Sequence, residues 1–209
     1  MPGADAIINA IVTLFVTIDP IGLAPIFLGI TAGMSRSERY AVGVRATIIA
    51  FGLLTLFLFA GQIILDTLGI TIHAFRVAGG LLLFYTAFEM IYGSRNERKQ
   101  ETSEQAIKVD QITNLAVFPL ALPLIAGPGA VSATILLASG MNNWEGYLVM
   151  VAIIIGIMVL VLLSFMAAEF IDKYLGKTGR NIMTRLLGVL LAALSVQFVV
   201  DGISALVSR

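Results

Sequence analysis

The chain contains no cysteine and a single histidine, His73. The first absence excludes disulfides, thiolate metal sites and a cysteine nucleophile. The second excludes a multi-histidine metal centre. Charge is also scarce: 12% of residues are Asp, Glu, Lys or Arg, against 58% hydrophobic, and formal net charge is zero. A soluble domain carries about twice that charge. With a mean hydropathy of +0.97, the composition predicts a polytopic membrane protein with little left over for a soluble domain. Zero net charge gives no footprint for nucleic acid. The N-terminus lacks the basic region of a signal peptide, so the first apolar stretch is expected to be retained.

A helix crosses the hydrocarbon core in about 20 residues. Six apolar stretches qualify: 6–33, 40–65, 74–92, 112–140, 145–169 and 182–206. At this hydrophobicity helices are expected rather than barrel strands, which would alternate apolar and polar residues. The segments after the first, third and fifth stretches hold Arg36, Arg39, Arg45, Arg95, Arg98, Lys99, Lys108, Lys173, Lys177, Arg180 and Arg185, and the opposite side only Arg76 and Arg209. That bias places loops 34–39, 93–111 and 170–181 in the cytoplasm and both termini outside. The polar 93–111 segment reads as a flexible linker between halves. Trp144, Arg76 and His73 are expected at the outer interface.

The halves match weakly but in order. Gly33-Met34 pairs with Gly140-Met141 at an offset of 107, and Arg76, Gly79 and Gly93 with Arg185, Gly188 and Gly202 at 109. Three spans per copy is odd, so the second copy must be inverted. The expected fold is all-α: one membrane domain over 1–209, with repeat 1 at 1–92, the linker, and repeat 2 at 112–209. Gly79-Gly80 is expected to allow close helix packing.

The first and fourth stretches are overlong and broken by proline at matching places. One reads Thr17-Ile18-Asp19-Pro20-Ile21-Gly22-Leu23-Ala24-Pro25, the other Pro123-Leu124-Ile125-Ala126-Gly127-Pro128-Gly129-Ala130. Proline has no amide hydrogen and clashes with the carbonyl four residues back. Asp19-Pro20 is also a good helix start, with Asp as N-cap and Pro in the first turn; Gly127-Pro128 repeats it with a weaker cap. Broken helices near the midplane point to a transporter's substrate site, because their unpaired backbone groups need protein or a polar cavity around them. The candidate substrate-binding residues are Asp19, Pro20, Gly22, Pro25, Gly127, Pro128, Gly129 and Ser132, with Asn9 and Asn114 before the breaks. Asp19 is the one carboxylate near the middle of a span, and such a residue is a functional candidate by default. It could hold a substrate ammonium, carry a coupling proton, or cap its half-helix. With no ionisable residue at the second break, the site is expected to be small and nearly neutral. Thr134 could add a hydroxyl or bond back to its own helix; Thr86 and Gln197 could face the site or another helix. Glu89 and Asp201, near span ends, are expected to reach water, and Glu89 could pair with Arg45.

Asp19-Pro20-Ile21-Gly22 followed by Pro25-Ile26-Phe27, and Phe118-Pro119-Leu120-Ala121 followed by Pro123-Leu124-Ile125-Ala126-Gly127-Pro128-Gly129, resemble the two break motifs of the MarC family, also called the SnatA or neutral amino acid transporter family. Ala78-Gly79-Gly80 and Asp201-Gly202-Ile203 are similar to weaker elements of its third and sixth spans. The resemblance runs over essentially the whole chain. It implies a prokaryotic inner-membrane protein of six spans moving small neutral amino acids such as glycine or alanine, linked to the proton gradient. No cofactor beyond a coupling proton is implied, and the expected partners are the amino acid and the bilayer. Small-residue faces leave a homo-oligomer open. A facilitator for a small neutral solute and a non-transporting membrane scaffold stand as alternatives. An enzyme is not expected, since nucleophile–base pair and metal cluster are both lacking.

Overall fold

The computed structural model describes residues 3–93, 95, 98–101, 115–141 and 143–208, the side chains of Asp172 and Lys177 excepted. Among these residues the chain is all-helical. Asn114, Lys108 and Arg209 lie outside them.

The first apolar stretch is two helices, α1 (Ala4–Ile18) and α2 (Pro20–Ile30), joined at Asp19. Asp19 adopts the left-handed conformation, φ 58°, ψ 67°. Its amide still closes on the Phe15 carbonyl at 2.9 Å, ending α1, and its carboxylate opens α2 by accepting from the Gly22 amide at 3.0 Å. Pro20, with no amide to satisfy, occupies the first turn of α2.

Helix α3 (Arg36–Thr67) begins earlier than residue 40 because Ser35 and Glu38 form a capping box. Helix α4 (Ile72–Tyr92) is capped by Thr71 and ends on Gly93 at φ 86°. The irregular α5 (Ala116–Ile125) contains Pro119 and Pro123 and turns extended at Phe118 and Leu122. It closes with wide hydrogen bonds, Leu120 to Leu115 and Ala126 to Ala121. After a bend of 57° the chain resumes as α6 (Pro128–Ala138). Helices α7 (Trp144–Met166) and α8 (Ala168–Val207) complete the chain. The expected 170–181 loop is instead helical, interrupted only at Gly176, φ 58°. Five helical stretches are long and apolar enough to cross a bilayer, or six if the bent α5–α6 pair is one span.

Two packing features position the site. Helices α4 and α8 run antiparallel in close contact, their glycines set against the facing backbone. A Cβ on Gly80 would lie 3.0 Å from the Ser195 carbonyl, one on Gly202 3.0 Å from that of His73, and one on Gly188 3.1 Å from that of Ala87. Small residues let backbones approach where lipid supplies no hydrophobic drive. Second, the broken α1–α2 stretch is the most buried of the five helical stretches long enough to span by themselves. Leu14, Leu23 and Phe27 are enclosed, and Phe27 stacks on Phe165 of α7 at 4.2 Å between ring centroids. A stretch with interrupted hydrogen bonding belongs inside protein, where its polar backbone finds partners.

Candidate functional site

Helix α1 ends where α6 begins. A Cβ on Gly129 would stand 3.2 Å from the Thr17 methyl and 3.2 Å from Thr86 Oγ1 on α4. Glycine is needed there for the two broken ends to meet. Around this contact lies a cavity of about 320 Å³, lined by Thr17, Thr86, residues 123–125 and 127–130, and by Arg95, Arg98 and Lys99.

The two breaks are not equivalent. At Pro20 the Gly22 amide is taken by Asp19. At Pro128 the cap is Gly127, which has no side chain to offer, and the first turn of α6 has no side-chain cap among the described residues. Gly127 itself sits tightly, its would-be Cβ only 2.4 Å from the Pro123 carbonyl.

Part of the 93–111 segment is described, and it folds against the site. Arg95 and residues 98–101 are helical, and Arg95 and Lys99 are only 6% and 7% exposed. Their partners explain the placement. The Arg95 guanidinium donates to the Thr17 carbonyl, one of the carbonyls orphaned where α1 stops, and a cation at a helix C-terminus is favoured. The Lys99 ammonium lies 3.9 Å from the Asp19 carboxylate. Arg98 pairs with Glu89 at 2.7 Å. Glu89 is thus 5% exposed and ion-paired, rather than reaching water or Arg45. The expectation of a nearly neutral site is corrected likewise: the second break has no charge of its own, but the linker brings cations to it.

Burial is the main force on these cations, and they also repel each other. Burial drives the Lys99 ammonium down from 10.5 to about 7, with Arg95 adding to the effect and Asp19 opposing it. Burial likewise lowers Arg95, against the pull of Asp19 and Glu89.

Of the residues singled out in the sequence, Gly127, Pro128 and Gly129 line the cavity. Asp19 is 1% exposed and reaches it through Lys99. Pro20 and Gly22 are buried at the start of α2, and Pro25 is half-buried farther along. Ser132 is buried one turn into α6 beside Gly79. Thr134 bonds back to the Ala130 carbonyl at 2.8 Å. Asn9 accepts from Thr13 at 2.9 Å within α1, away from the break. Thr17, Arg95 and Lys99 were not singled out. The four-residue spacing of the two cations, which puts them on one helix face, was the available signal.

A family model described as MarC family integral membrane protein matches residues 4–207. The chain belongs to the MarC family. Among curated MarC relatives, a UPF0056 membrane protein of Buchnera aphidicola subsp. Schizaphis graminum is 39% identical over 201 residues, 96% of this chain and 93% of the relative. One from Archaeoglobus fulgidus is 40% identical over 193 residues, 92% and 89%. The UPF0056 membrane protein YhcE of Escherichia coli is 36% identical over 197 residues, 92% and 89%. No solved structure matches this MarC chain.

Proposed function

We propose that this MarC protein is a secondary transporter of small neutral amino acids, glycine- or alanine-like, coupled to protons. The observation that carries the reading is the meeting of the two broken helices, Thr17 against Gly129, at one cavity of about 320 Å³. That volume is at the small end of ligand pockets, which start at about 300 Å³. Apolar Leu124 and Ile125 share the lining with Arg95, Arg98 and Lys99, and the Asp19 carboxylate stands 3.9 Å from the Lys99 ammonium, an environment suited to a zwitterion with a short side chain.

In this reading six spans form two inverted three-helix repeats, the broken pairs α1–α2 and α5–α6 being spans one and four. The antiparallel contact of α4 with α8 supports it, since an odd number of spans per copy demands that their last helices run oppositely. Both termini face outside, the linker faces the cytoplasm, and the protein sits in a prokaryotic inner membrane. Alternating access moves one repeat against the other. Asp19 and Lys99 form the ionisable pair through which a proton couples.

The test is uptake of labelled glycine and alanine into proteoliposomes, with and without an imposed pH gradient. Accumulation above equilibrium, only with the gradient, is the expected result. Equilibration without accumulation would replace the transporter with a facilitator. Absence of flux above empty liposomes would remove these amino acids as cargo.

A further inference from the structure

We propose that Arg95 and Lys99, with the N-terminus of α6, form an anion subsite that takes the carboxylate of a small solute. The proposal rests on the cavity being a solute site, and it names the group recognised there.

Three observations converge. The two cations are buried at the cavity and incompletely partnered: among the described residues Arg95 Nη1 and Lys99 Nζ make no hydrogen bond. The bond to the Thr17 carbonyl uses the other Arg95 nitrogen, Nη2, so capping α1 leaves Nη1 available. The local charge does not cancel. Among the described residues Arg98 and Glu89 neutralise each other, and Asp19 answers one of the two remaining basic groups, so that protonating Lys99 leaves one positive charge over. An uncompensated buried charge is costly, and an incoming anion relieves it. Third, the eleven-residue α6 offers its uncapped first turn at the same cavity, with Gly129 and Ala130 in the lining. Helix N-termini favour anions.

The same groups set the charge of the ligand. One excess cation matches a monoanion. Asp19, 3.9 Å from the Lys99 ammonium, repels a second negative charge and so disfavours inorganic phosphate. It is also positioned to attract an ammonium on the same solute. Lys99, lowered to about 7 by burial, is part-protonated at neutral pH and completes its protonation when a carboxylate arrives, which ties anion binding to proton uptake.

The experiment is a thermal-shift titration of the purified full-length protein in detergent. The probes are propionate, L-alanine, L-alaninamide and inorganic phosphate. Propionate and alanine are expected to raise Tm saturably; alaninamide, which lacks the carboxylate, and phosphate are not. Lys99→Gln and Arg95→Gln should each weaken propionate at least tenfold, while Lys99→Arg restores most of the affinity. The proposal is overturned if alaninamide stabilises as well as alanine, if phosphate matches propionate, or if no carboxylate stabilises. The wild-type comparison of acid with amide decides the matter even where a variant fails to fold. Carboxylate binding in a protein that moves no amino acid would retain the subsite and remove the transporter reading. Gradient-driven alanine uptake inhibited as strongly by alaninamide as by unlabelled alanine would do the reverse.

Discussion

The Lys99 ammonium stands 3.9 Å from the Asp19 carboxylate, although the two residues belong to a polar connector and to the interior of an apolar stretch. Asp19 has two tasks at once: one oxygen caps α2 through the Gly22 amide, and the other faces Lys99. The tasks separate by substitution, because asparagine caps about as well as aspartate but carries no charge.

Asp19→Asn should therefore keep the helix start and lose the ion pair, whereas Asp19→Ala loses both. Alanine at an N-cap costs about 1 kcal/mol, so thermal unfolding should rank Asp19→Ala below Asp19→Asn. In proteoliposomes Asp19→Asn should lose gradient-driven uptake. Unchanged pH dependence of transport in that variant would remove Asp19 from proton coupling.

Lys99 makes stability pH-dependent. Its folded value, about 7, lies below the ordinary 10.5, so between these values the unfolded chain binds more protons than the folded one. Stability should then rise with pH across that window and be flat in this respect below about 7. Melting temperatures from pH 7 to 9 should climb in the wild type and climb less in Lys99→Met, which should also melt higher at pH 7. Parallel profiles would show that Lys99 is not held in a desolvated place.

The contact of α4 with α8 depends on glycine. A Cβ on Gly80 would lie 2.8 Å from Val199 Cγ2 and 3.0–3.1 Å from backbone atoms of Ser195 and Val199, and backbone cannot step aside as a side-chain tip can. Gly80→Ala should lower stability by about 1–3 kcal/mol despite the better helix propensity of alanine. Gly52→Ala, where a Cβ meets nothing within 4 Å, should be neutral or stabilising, by up to about 1 kcal/mol. Paired melting curves check the contrast.

Gly129→Val should push α1 and α4 away from α6, disrupting the cavity and lowering stability by about 1–3 kcal/mol. Its branches enter the space between Thr17 and Thr86, already 3.2 Å from a single Cβ. Alanine uptake by the folded fraction should fall at least tenfold, and the melting temperature should fall with it. Wild-type kinetics in that variant would mean that solute does not pass between α1 and α6.

The helical class, the apolar stretches and both breaks were determined by sequence alone, because each follows from local chemistry. Proline cannot donate an amide hydrogen bond, Asp19 supplies a cap, and long apolar runs need a bilayer or a core. Helix α3 starts about a turn earlier than expected where the Ser35 capping box adds one, whereas α7 starts at Trp144, next to the expected residue. The second break was legible as a break but not as a bend of 57°, since direction after an interruption depends on what the next helix packs against. The linker's role was left to tertiary structure. Arginine and lysine in a polar loop obey the same composition rule whether they lie in water or fold back onto a helix end. Arg95 reaches a carbonyl 78 positions earlier in the chain, and only the fold that exposes the end of α1 beside the start of α6 creates that partner. Local chemistry therefore decided where the helices stop, and packing decided which charges meet there.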